Sequence, residues 1–178
     1  MSYYDKSIDS VCGYMATSTD TYDNNYQYDG VVCGGYHVAK TANVFTAKGE
    51  ENLTAVSFYT TEADENYEIE IYNLKDGFES PVDGECVSVK PLTKQQYAGY
   101  HTVTLDTPVS ITEGEHFSVV LTLSGIKNPV TLCDDYCYAP NTSYYCINNS
   151  WVECKQGEEG EEGYDEESNC IRVNFCIK

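Results

Sequence analysis

Cysteine and histidine are the residues of this chain that could carry nucleophilic chemistry. A catalytic cysteine needs a histidine that activates its thiolate, and donors that stabilise the developing oxyanion. The chain has nine cysteines, and its three histidines are His37, His101 and His116. No cysteine stands in a Gln-x-x-x-x-x-Cys-Trp context, and His101 and His116 fall on predicted strands. We therefore expect no internal Cys–His nucleophile and no catalytic residues.

Carboxylate pairs are a second kind of chemistry, because glycoside hydrolysis uses two carboxyl groups about 5 to 10 Å apart. With 29 Asp and Glu residues, some pair meets that distance in any fold, so the pattern does not indicate an enzyme. The acidic run 157–167 (GEEGEEGYDEE) is typical of a solvated loop. A cation-binding loop is the alternative, although the spacing matches no EF-hand.

Aromatic side chains are the functional feature that the composition favours. Sugar-binding sandwiches commonly stack an exposed ring on the apolar face of a pyranose, while amide and carboxylate groups bind its hydroxyls. Many aromatic residues lie in or beside predicted loops, and the candidate ligand-binding residues are Trp151, Tyr36, Tyr97, Tyr100, Tyr138, Tyr144 and Tyr145, together with Tyr26 and Tyr28. The alternative for each tyrosine is a strand position whose ring packs and whose hydroxyl reaches water.

Oxygen ligands suited to a calcium ion are close together near the N-terminus. They are Asp20, Asp23, Asn25 and Asp29, which lie near predicted turns. Asx turns explain the same residues without a metal. The sequence thus predicts no required cofactor, with a structural calcium ion as an optional one.

The cysteine content predicts disulfides. Nine cysteines exceed what is typical of a reduced cytosolic domain, and no CxxC pair indicates zinc or thioredoxin-like chemistry. If 171–177 is one strand with its apolar residues inward, Cys170 and Cys176 lie on the outer face. The cysteines expected to staple long loops are Cys133, Cys137, Cys146, Cys154, Cys170 and Cys176. One of the nine must stay unpaired, and Cys12 or Cys86 is the candidate.

Alternation of apolar and polar residues indicates strands with one buried face. Tyr67, Ile69 and Ile71 alternate with polar neighbours, and similar runs begin near 53, 103, 117 and 171. No window shows a convincing helical period. The chain therefore predicts an all-β fold, a β-sandwich of the jelly-roll type with long loops stapled by disulfides.

Turn signals divide these strands at residues 75–77, 80–84, 106–108 and 112–115. The polar, Tyr-rich stretch 1–30 shows no periodicity. We expect it to be an irregular segment packed on a single domain at 31–178.

The charge of the chain limits its partners. Ten Lys and Arg against 29 Asp and Glu give a formal net charge of -19, and no basic patch occurs. Nucleic acid and anionic membrane surfaces are therefore disfavoured. No stretch is apolar enough to insert in a membrane, and residues 1–10 do not form a signal peptide. Because disulfides need an oxidising compartment, we expect a secreted or cell-surface module exported through a signal outside this chain.

Several stretches resemble a known family. In order they are 22–30 (YDNNYQYDG), 43–49 (NVFTAKG), 53–60 (LTAVSFYT), 67–72 (YEIEIY), 98–103 (AGYHTV), 113–120 (EGEHFSVV) and 176–178 (CIK). They resemble the lectin-like domain that accompanies papain-like cysteine peptidase domains in secreted proteins of gut Clostridia and their relatives. Departures from the family are the many cysteines and the long acidic run after Trp151.

The resemblance implies a non-catalytic β-sandwich that binds a glycan or glycoprotein and adjoins a neighbouring domain of a larger bacterial protein, such as a peptidase. An adhesion role belongs to the same hypothesis. The alternative is a disulfide-stiffened structural or protein-interaction domain with no glycan ligand. Burial of the aromatic residues distinguishes the two.

Overall fold

The computed structural model describes residues 13–14, 18, 21–28, 31–127, 130–134, 139–154, 171–173 and 175–177, with side chains described for 18, 21–28, 37–127, 130 and 139–154. None of these residues forms a helix that could cross a membrane. The strands are β1 (Gly13–Tyr14), β2 (Tyr26–Gln27), β3 (Val31–Tyr36), β4 (Lys40–Thr46), β5 (Glu51–Thr60), β6 (Glu65–Leu74), β7 (Gly84–Gln95), β8 (Gly99–Ile111), β9 (His116–Ser124), β10 (Val130–Asp134), β11 (Ser143–Ile147), β12 (Ser150–Glu153), β13 (Ile171–Val173) and β14 (Phe175–Ile177).

The described strands form three sheets. A six-stranded sheet has the order β12-β11-β4-β9-β6-β7, a five-stranded sheet has the order β1-β8-β5-β14-β2, and a three-stranded sheet has the order β13-β10-β3. Neighbouring strands run antiparallel except for β1 and β8, which are parallel. The all-β prediction is confirmed.

The main hydrophobic core takes residues from both large sheets. Phe58 of β5 contributes from the five-stranded sheet, while Ile69 and Ile71 of β6 and Phe117 of β9 contribute from the six-stranded sheet. All four side chains are almost fully buried. Alternation on β6 is strict, since every second residue from Glu65 to Ile71 is buried. This alternation orients one face of β6, and with it of the six-stranded sheet, toward the main core.

A second, smaller cluster lies on the opposite face of the six-stranded sheet. Val44 and Val120 belong to it, although their neighbours Phe45 and Val119 belong to the main core. The β6–β7 connection covers this face with partly buried apolar residues such as Phe78. The buried hydroxyl of Ser118 donates to the backbone carbonyl of Pro81, which fixes the connection in place.

β7 is an edge strand with an unusual distribution of residues. It pairs with β6 through two register shifts, which are β-bulges or similar irregularities. Lys90 and Gln95 pair with inward residues of β6, and they contact β8 through Asp106 and His101. Bulges, a proline and lysines are features that protect a sheet edge from pairing with another chain.

Two sequence predictions about local structure are wrong. Residues 106–108 do not form a turn, because β8 continues through them with a register shift against β5. Pro108 fits such an irregular position, since it has no N–H for a regular ladder. Residues 171–177 do not form one strand either, because β13 pairs with β10 and β14 pairs with β5 and β2. The argument that placed Cys170 and Cys176 on one outer face therefore fails.

The described residues do not support the disulfide prediction. No disulfide is present among the described residues, and Cys86 and Cys146 carry free thiols. Cys86 is one of the two candidates for the unpaired cysteine, while Cys12 lies outside the described residues. Cys137 and Cys170 lie outside them as well, as do the side chains of Cys133 and Cys176. Their pairing stays a prediction, as does the division at residue 30.

Gly84→Ala is expected to destabilise the β6–β7 hairpin. A Cβ atom at Gly84 would lie 2.0 Å from the backbone oxygen of Asn73 and 2.8 Å from the Cα atom of Leu74. Because backbone atoms cannot yield as a flexible side chain can, the free energy of unfolding should fall by about 1–3 kcal/mol in urea denaturation. Gly49→Ala is the control, since its Cβ would meet only the Glu51 side chain, at 3.6 Å. Equal losses in both variants would contradict the close approach.

Candidate functional site

An open cleft lies between the N-terminal residues and the connection from β4 to β5. Its volume is about 540 Å³. We call it the β4–β5 cleft, and its lining residues are Thr21, Tyr22, Asp23, Asn24, Tyr26, Gly49, Glu50, Glu51, Asn52, Leu53 and Thr54. Polar groups dominate this lining, because β5 begins here with acidic and amide residues before its apolar alternation starts.

Glu51 joins the two walls of the cleft. Its Oε1 accepts a hydrogen bond from the Asn24 side-chain amide, and its Oε2 accepts one from the Tyr26 hydroxyl. Asn24 and Tyr26 belong to the N-terminal wall, whereas Glu51 is the first residue of β5. The carboxylate therefore sets the distance between the walls before any ligand arrives, which lowers the entropy cost of binding.

Tyr26 anchors the N-terminal wall in the core. The ring is 4% exposed and makes edge contacts with Phe45 and Phe117, at centroid distances of 5.9 and 5.3 Å. Its hydroxyl also accepts a hydrogen bond of 2.8 Å from the Lys48 backbone N–H. Burial, followed by the hydrogen bond to Glu51, raises the pKa of Tyr26 to about 12. The hydroxyl therefore stays protonated and keeps donating to Glu51 across the physiological pH range.

Lys48 supplies positive charge to the same wall. Its Nζ lies 4.7 Å from the centroid of the Tyr26 ring and donates to the Asn25 carbonyl at 3.2 Å. The cleft itself contains the carboxylates of Asp23, Glu50 and Glu51. Because these acids outnumber the nearby cation, the cleft favours neutral or cationic ligands over anionic ones.

The remaining polar groups suit a ligand rich in hydroxyls. Asp23 and Glu50 are exposed, and Tyr22 is half-buried. Asn52 is held in place because its Oδ1 accepts a 2.8 Å hydrogen bond from the Ser110 hydroxyl. Carboxylate oxygens accept from sugar hydroxyls, and an amide both accepts and donates. The arrangement can bind a polar ligand through hydrogen bonds to these groups.

The predicted aromatic residues whose side chains are described do not form one site. Tyr100 lies on β8 of the five-stranded sheet, while Tyr144, Tyr145 and Trp151 lie on β11 and β12 of the six-stranded sheet. Tyr97, in the β7–β8 connection, is 61% exposed. Tyr138 and the side chain of Tyr36 lie outside the described residues.

Burial separates these aromatic candidates. Tyr144 is 4% exposed and belongs to the second cluster, so its ring is not accessible to a ligand. Trp151 is half-buried and packs against the same cluster. Tyr100 and Tyr145 are half-buried, and Tyr100 pairs with Tyr59 at a centroid distance of 4.9 Å. Tyr97 is thus the most exposed of the described candidates.

Tyr26 and Tyr28 have structural roles. Tyr28 stacks on Phe45 at a centroid distance of 4.8 Å, and its hydroxyl donates to the Val44 carbonyl at 2.9 Å. Tyr26 is buried as described above. The alternative interpretation of a packed tyrosine ring therefore applies to both, since the Tyr26 ring is buried and the Tyr28 ring stacks on Phe45.

The predicted calcium ligands are only partly described. Asp23 lines the β4–β5 cleft, whereas the side-chain amide of Asn25 donates to Gln27. Asp20 and Asp29 lie outside the described residues. Within the described ranges no group of three His, Cys, Asp or Glu residues could hold a metal ion. A calcium site there stays a prediction.

Sequence reasoning missed Tyr22, Asn24, Glu50, Glu51 and Asn52. Asn24 and Glu51 are 27 positions apart, and nothing in either local pattern indicates that they meet. The one available signal is the polar start of β5, where Glu50, Glu51 and Asn52 precede the apolar run. That signal is weak because the same residues are typical of an exposed turn.

Comparison with known proteins identifies relatives of this fold. A family model described as a lectin-like domain matches residues 25–178. The structure resembles the crystal structure of the cysteine protease and lectin-like domains of Cwp84, a surface layer associated protein of Clostridium difficile, with a TM-score of 0.60 and 19% identity over 86% of this chain. It also resembles a structure of Cwp84 after propeptide cleavage, with a TM-score of 0.59 and 20% identity over 86% of this chain.

The chain spans 35% and 39% of those two solved chains. None of the curated proteins compared with the chain matches it.

Proposed function

The chain belongs to the lectin-like domain family, and we propose that it is a non-catalytic module that binds neutral glycans in the β4–β5 cleft. We further propose that it is a β-sandwich of a secreted or cell-surface bacterial protein and adjoins a peptidase domain. The family match and the likeness to Cwp84 support this context. The carbohydrate ligand rests on the cleft itself.

The observation that carries the proposal is an open, polar cleft whose walls are joined before binding. Its volume of about 540 Å³ is within the range of small-ligand sites. Glu51 is held by Asn24 and Tyr26, so the two walls do not have to be ordered by the ligand. Asp23 and Glu50 add exposed acceptors for sugar hydroxyls, while their charge disfavours acidic glycans.

Glycan binding at this cleft is tested with an array of neutral and acidic glycans, followed by calorimetry on those that bind. We expect neutral glycans to bind, and Tyr22→Ala and Asp23→Asn to weaken their affinity at least tenfold, or about 1.4 kcal/mol. Tyr97→Ala is the matched control. It removes an exposed tyrosine of the β7–β8 connection, next to the C-terminal end of β5. The cleft lies at the N-terminal end of β5, about 30 Å away if the 10 residues of that strand are extended.

Two results would overturn the assignment. Absence of glycan binding at millimolar concentration would exclude the function. Loss of binding in Tyr97→Ala, with Tyr22→Ala unchanged, would move the site to the other end of the domain.

A protein-interaction role is the second candidate, and three exposed apolar side chains of β7 favour it. Val87, Val89 and Leu92 are 41%, 52% and 61% exposed, which is unusual for neighbouring apolar residues. Binding of the chain to a separately prepared peptidase domain, together with no glycan binding, would support this role over the first.

A further inference from the structure

A buried carboxyl group lies at the end of the domain opposite the β4–β5 cleft. Glu65 is the first residue of β6 and is 0% exposed. It pairs with Gln95 of β7 and lies on the inward face, in line with Tyr67, Ile69 and Ile71. A carboxyl group in this position is costly when ionised, because burial removes its hydration.

Only part of that cost is offset by hydrogen bonds. Oε2 of Glu65 accepts a 3.0 Å hydrogen bond from the Thr61 backbone N–H, and the Glu62 backbone N–H also donates to the carboxyl group. Oε1 is buried and has no hydrogen-bond partner among the described residues. The carboxyl group thus holds the β5–β6 turn at 61–64 closed while one of its oxygens stays unsatisfied.

The same end of the domain contains a directed chain of hydrogen bonds. The Gln95 amide nitrogen contacts Nδ1 of His101 at 3.0 Å, and Nε2 of His101 contacts the Thr60 hydroxyl at 2.9 Å. Thr60 in turn donates to the Tyr97 carbonyl at 3.1 Å. Because an amide nitrogen only donates, Nδ1 of His101 accepts and the ring is neutral with its proton on Nε2. This chain ties the β5–β6 turn to the β7–β8 connection at 96–98.

The charged groups near Glu65 do not neutralise it. Glu62 of the turn raises its proton affinity further. Asp64 and Lys94 form an exposed ion pair of 2.8 Å and Lys90 pairs with Asp106, so both lysines of β7 already have partners. His101 on β8 is buried, and burial lowers its pKa. Asp64 also has a φ of +65°, a strained conformation for a residue other than glycine, so the closed turn needs support from its contacts.

We propose that Glu65 makes this end of the domain a pH-sensitive latch. With a proton on Glu65 the turn at 61–64 stays closed over it. When the proton is lost, the turn opens so that the carboxylate reaches water. Because Thr60 adjoins the turn and donates to the Tyr97 carbonyl, opening of the turn also displaces the 96–98 connection and the exposed Tyr97 ring. This latch is independent of glycan binding at the β4–β5 cleft.

The pKa of Glu65 agrees with the burial of its carboxyl group. Burial raises the pKa of Glu65 to about 7, against the hydrogen bonds from the two backbone N–H groups. The proton is therefore lost within the physiological range instead of near pH 4.5.

Hydrogen exchange of the full chain tests the latch. Protection factors for residues 61–66 and 96–99 are measured at pH 5.5 and pH 8.0 and corrected for intrinsic exchange rates. Between these two pH values they should fall in the wild type, and the fall should be about 30-fold larger than in Glu65→Gln. Glu62→Gln, which removes an exposed carboxylate of the same turn but leaves Glu65 able to ionise, is the control and should keep most of the wild-type fall, reduced only by the loss of the Glu62 charge near Glu65. An equal fall in Glu65→Gln would overturn the proposal.

Direct titration of the wild type does not depend on any variant folding. Carbon-detected NMR of the Glu65 carboxyl group should show a midpoint near pH 7. A midpoint near the ordinary value of 4.5 would equally overturn the latch, because a group that ionises there cannot respond near neutrality.

Discussion

Tyr26→Ala is expected to lower the free energy of unfolding by about 3–5 kcal/mol, as for other buried aromatic truncations. The ring is 4% exposed and packs between Phe45 and Phe117, so its removal leaves a cavity in the main core. Urea denaturation at pH 7 measures the loss. The same variant should also weaken any ligand of the β4–β5 cleft, because the N-terminal wall loses its anchor.

Tyr26→Phe separates the ring from the hydroxyl. The ring contacts remain, but the Lys48 N–H loses its acceptor and Oε2 of Glu51 loses its donor. The expected cost is about 1–3 kcal/mol, the range for partly buried groups left without a partner. Tyr97→Ala should change stability by less than about 0.5 kcal/mol, because that side chain is 61% exposed. If Tyr26→Ala costs no more than Tyr97→Ala, Tyr26 does not anchor the cleft.

Strict alternation is what made part of the fold predictable. The pattern at Tyr67, Ile69 and Ile71 predicts β6, and the pattern from Phe117 to Leu123 predicts β9, because both strands have one face in the main core. β7 has no such pattern. Its inward residues Lys90 and Gln95 are polar and its register shifts twice, so the two-residue period is lost.

Pro108 shows how a local rule can point to the wrong structure. A proline after Asp106 and Thr107 is typical of a turn, yet the chain there continues as β8. The ladder with β5 shifts register between Leu53 and Ala55, which leaves extra β8 residues outside regular pairing. Tertiary pairing of β5 and β8 therefore decides the local structure, and a window of a few residues does not contain that information.

The cleft was less predictable than the fold. Its walls come from segments about 25 residues apart that are brought together by Glu51, Asn24 and Tyr26. Asp23 was singled out as a calcium ligand and lines the cleft, whereas Tyr97, the most exposed of the described aromatic candidates, lies elsewhere. The number of tyrosines favours a site that stacks sugars on aromatic rings. The rings of Tyr26, Tyr28 and Tyr144, however, pack against other side chains of the domain.

Glu65, in contrast, could have been found from its sequence position. Extending the alternation of Tyr67, Ile69 and Ile71 back by two residues places Glu65 on the buried face. A charged residue on the inner side of an otherwise regular strand conflicts with the pattern around it. Such conflicts are where functional or strained positions are expected.

Glu65→Gln is accordingly expected to raise the free energy of unfolding at pH 8 by about 3 kcal/mol. The pKa of Glu65 is raised to about 7 from a model-peptide value of 4.5, so the folded state holds the proton more tightly than the unfolded state does. In the wild type, the contribution of Glu65 to the free energy of unfolding is fully present below pH 4.5. It falls as the pH rises from 4.5 to 7, and it stays low above pH 7. Because glutamine does not titrate, the variant should lack this fall.

His101 gives the opposite slope, which allows the two groups to be distinguished. Burial lowers its pKa, so the unfolded state binds the proton more tightly and stability is lost as the pH falls below 6.5. Urea denaturation at pH 4, 6 and 8 should show the gain of Glu65→Gln at pH 8 and almost none at pH 4, while His101→Gln should remove part of the acid loss. A gain in Glu65→Gln that is equal at pH 4 and pH 8 would mean that better packing, and not the lost charge, stabilises the variant. A gain confined to high pH means that the folded domain is least stable where Glu65 is ionised, which is the condition under which the turn at 61–64 is expected to open.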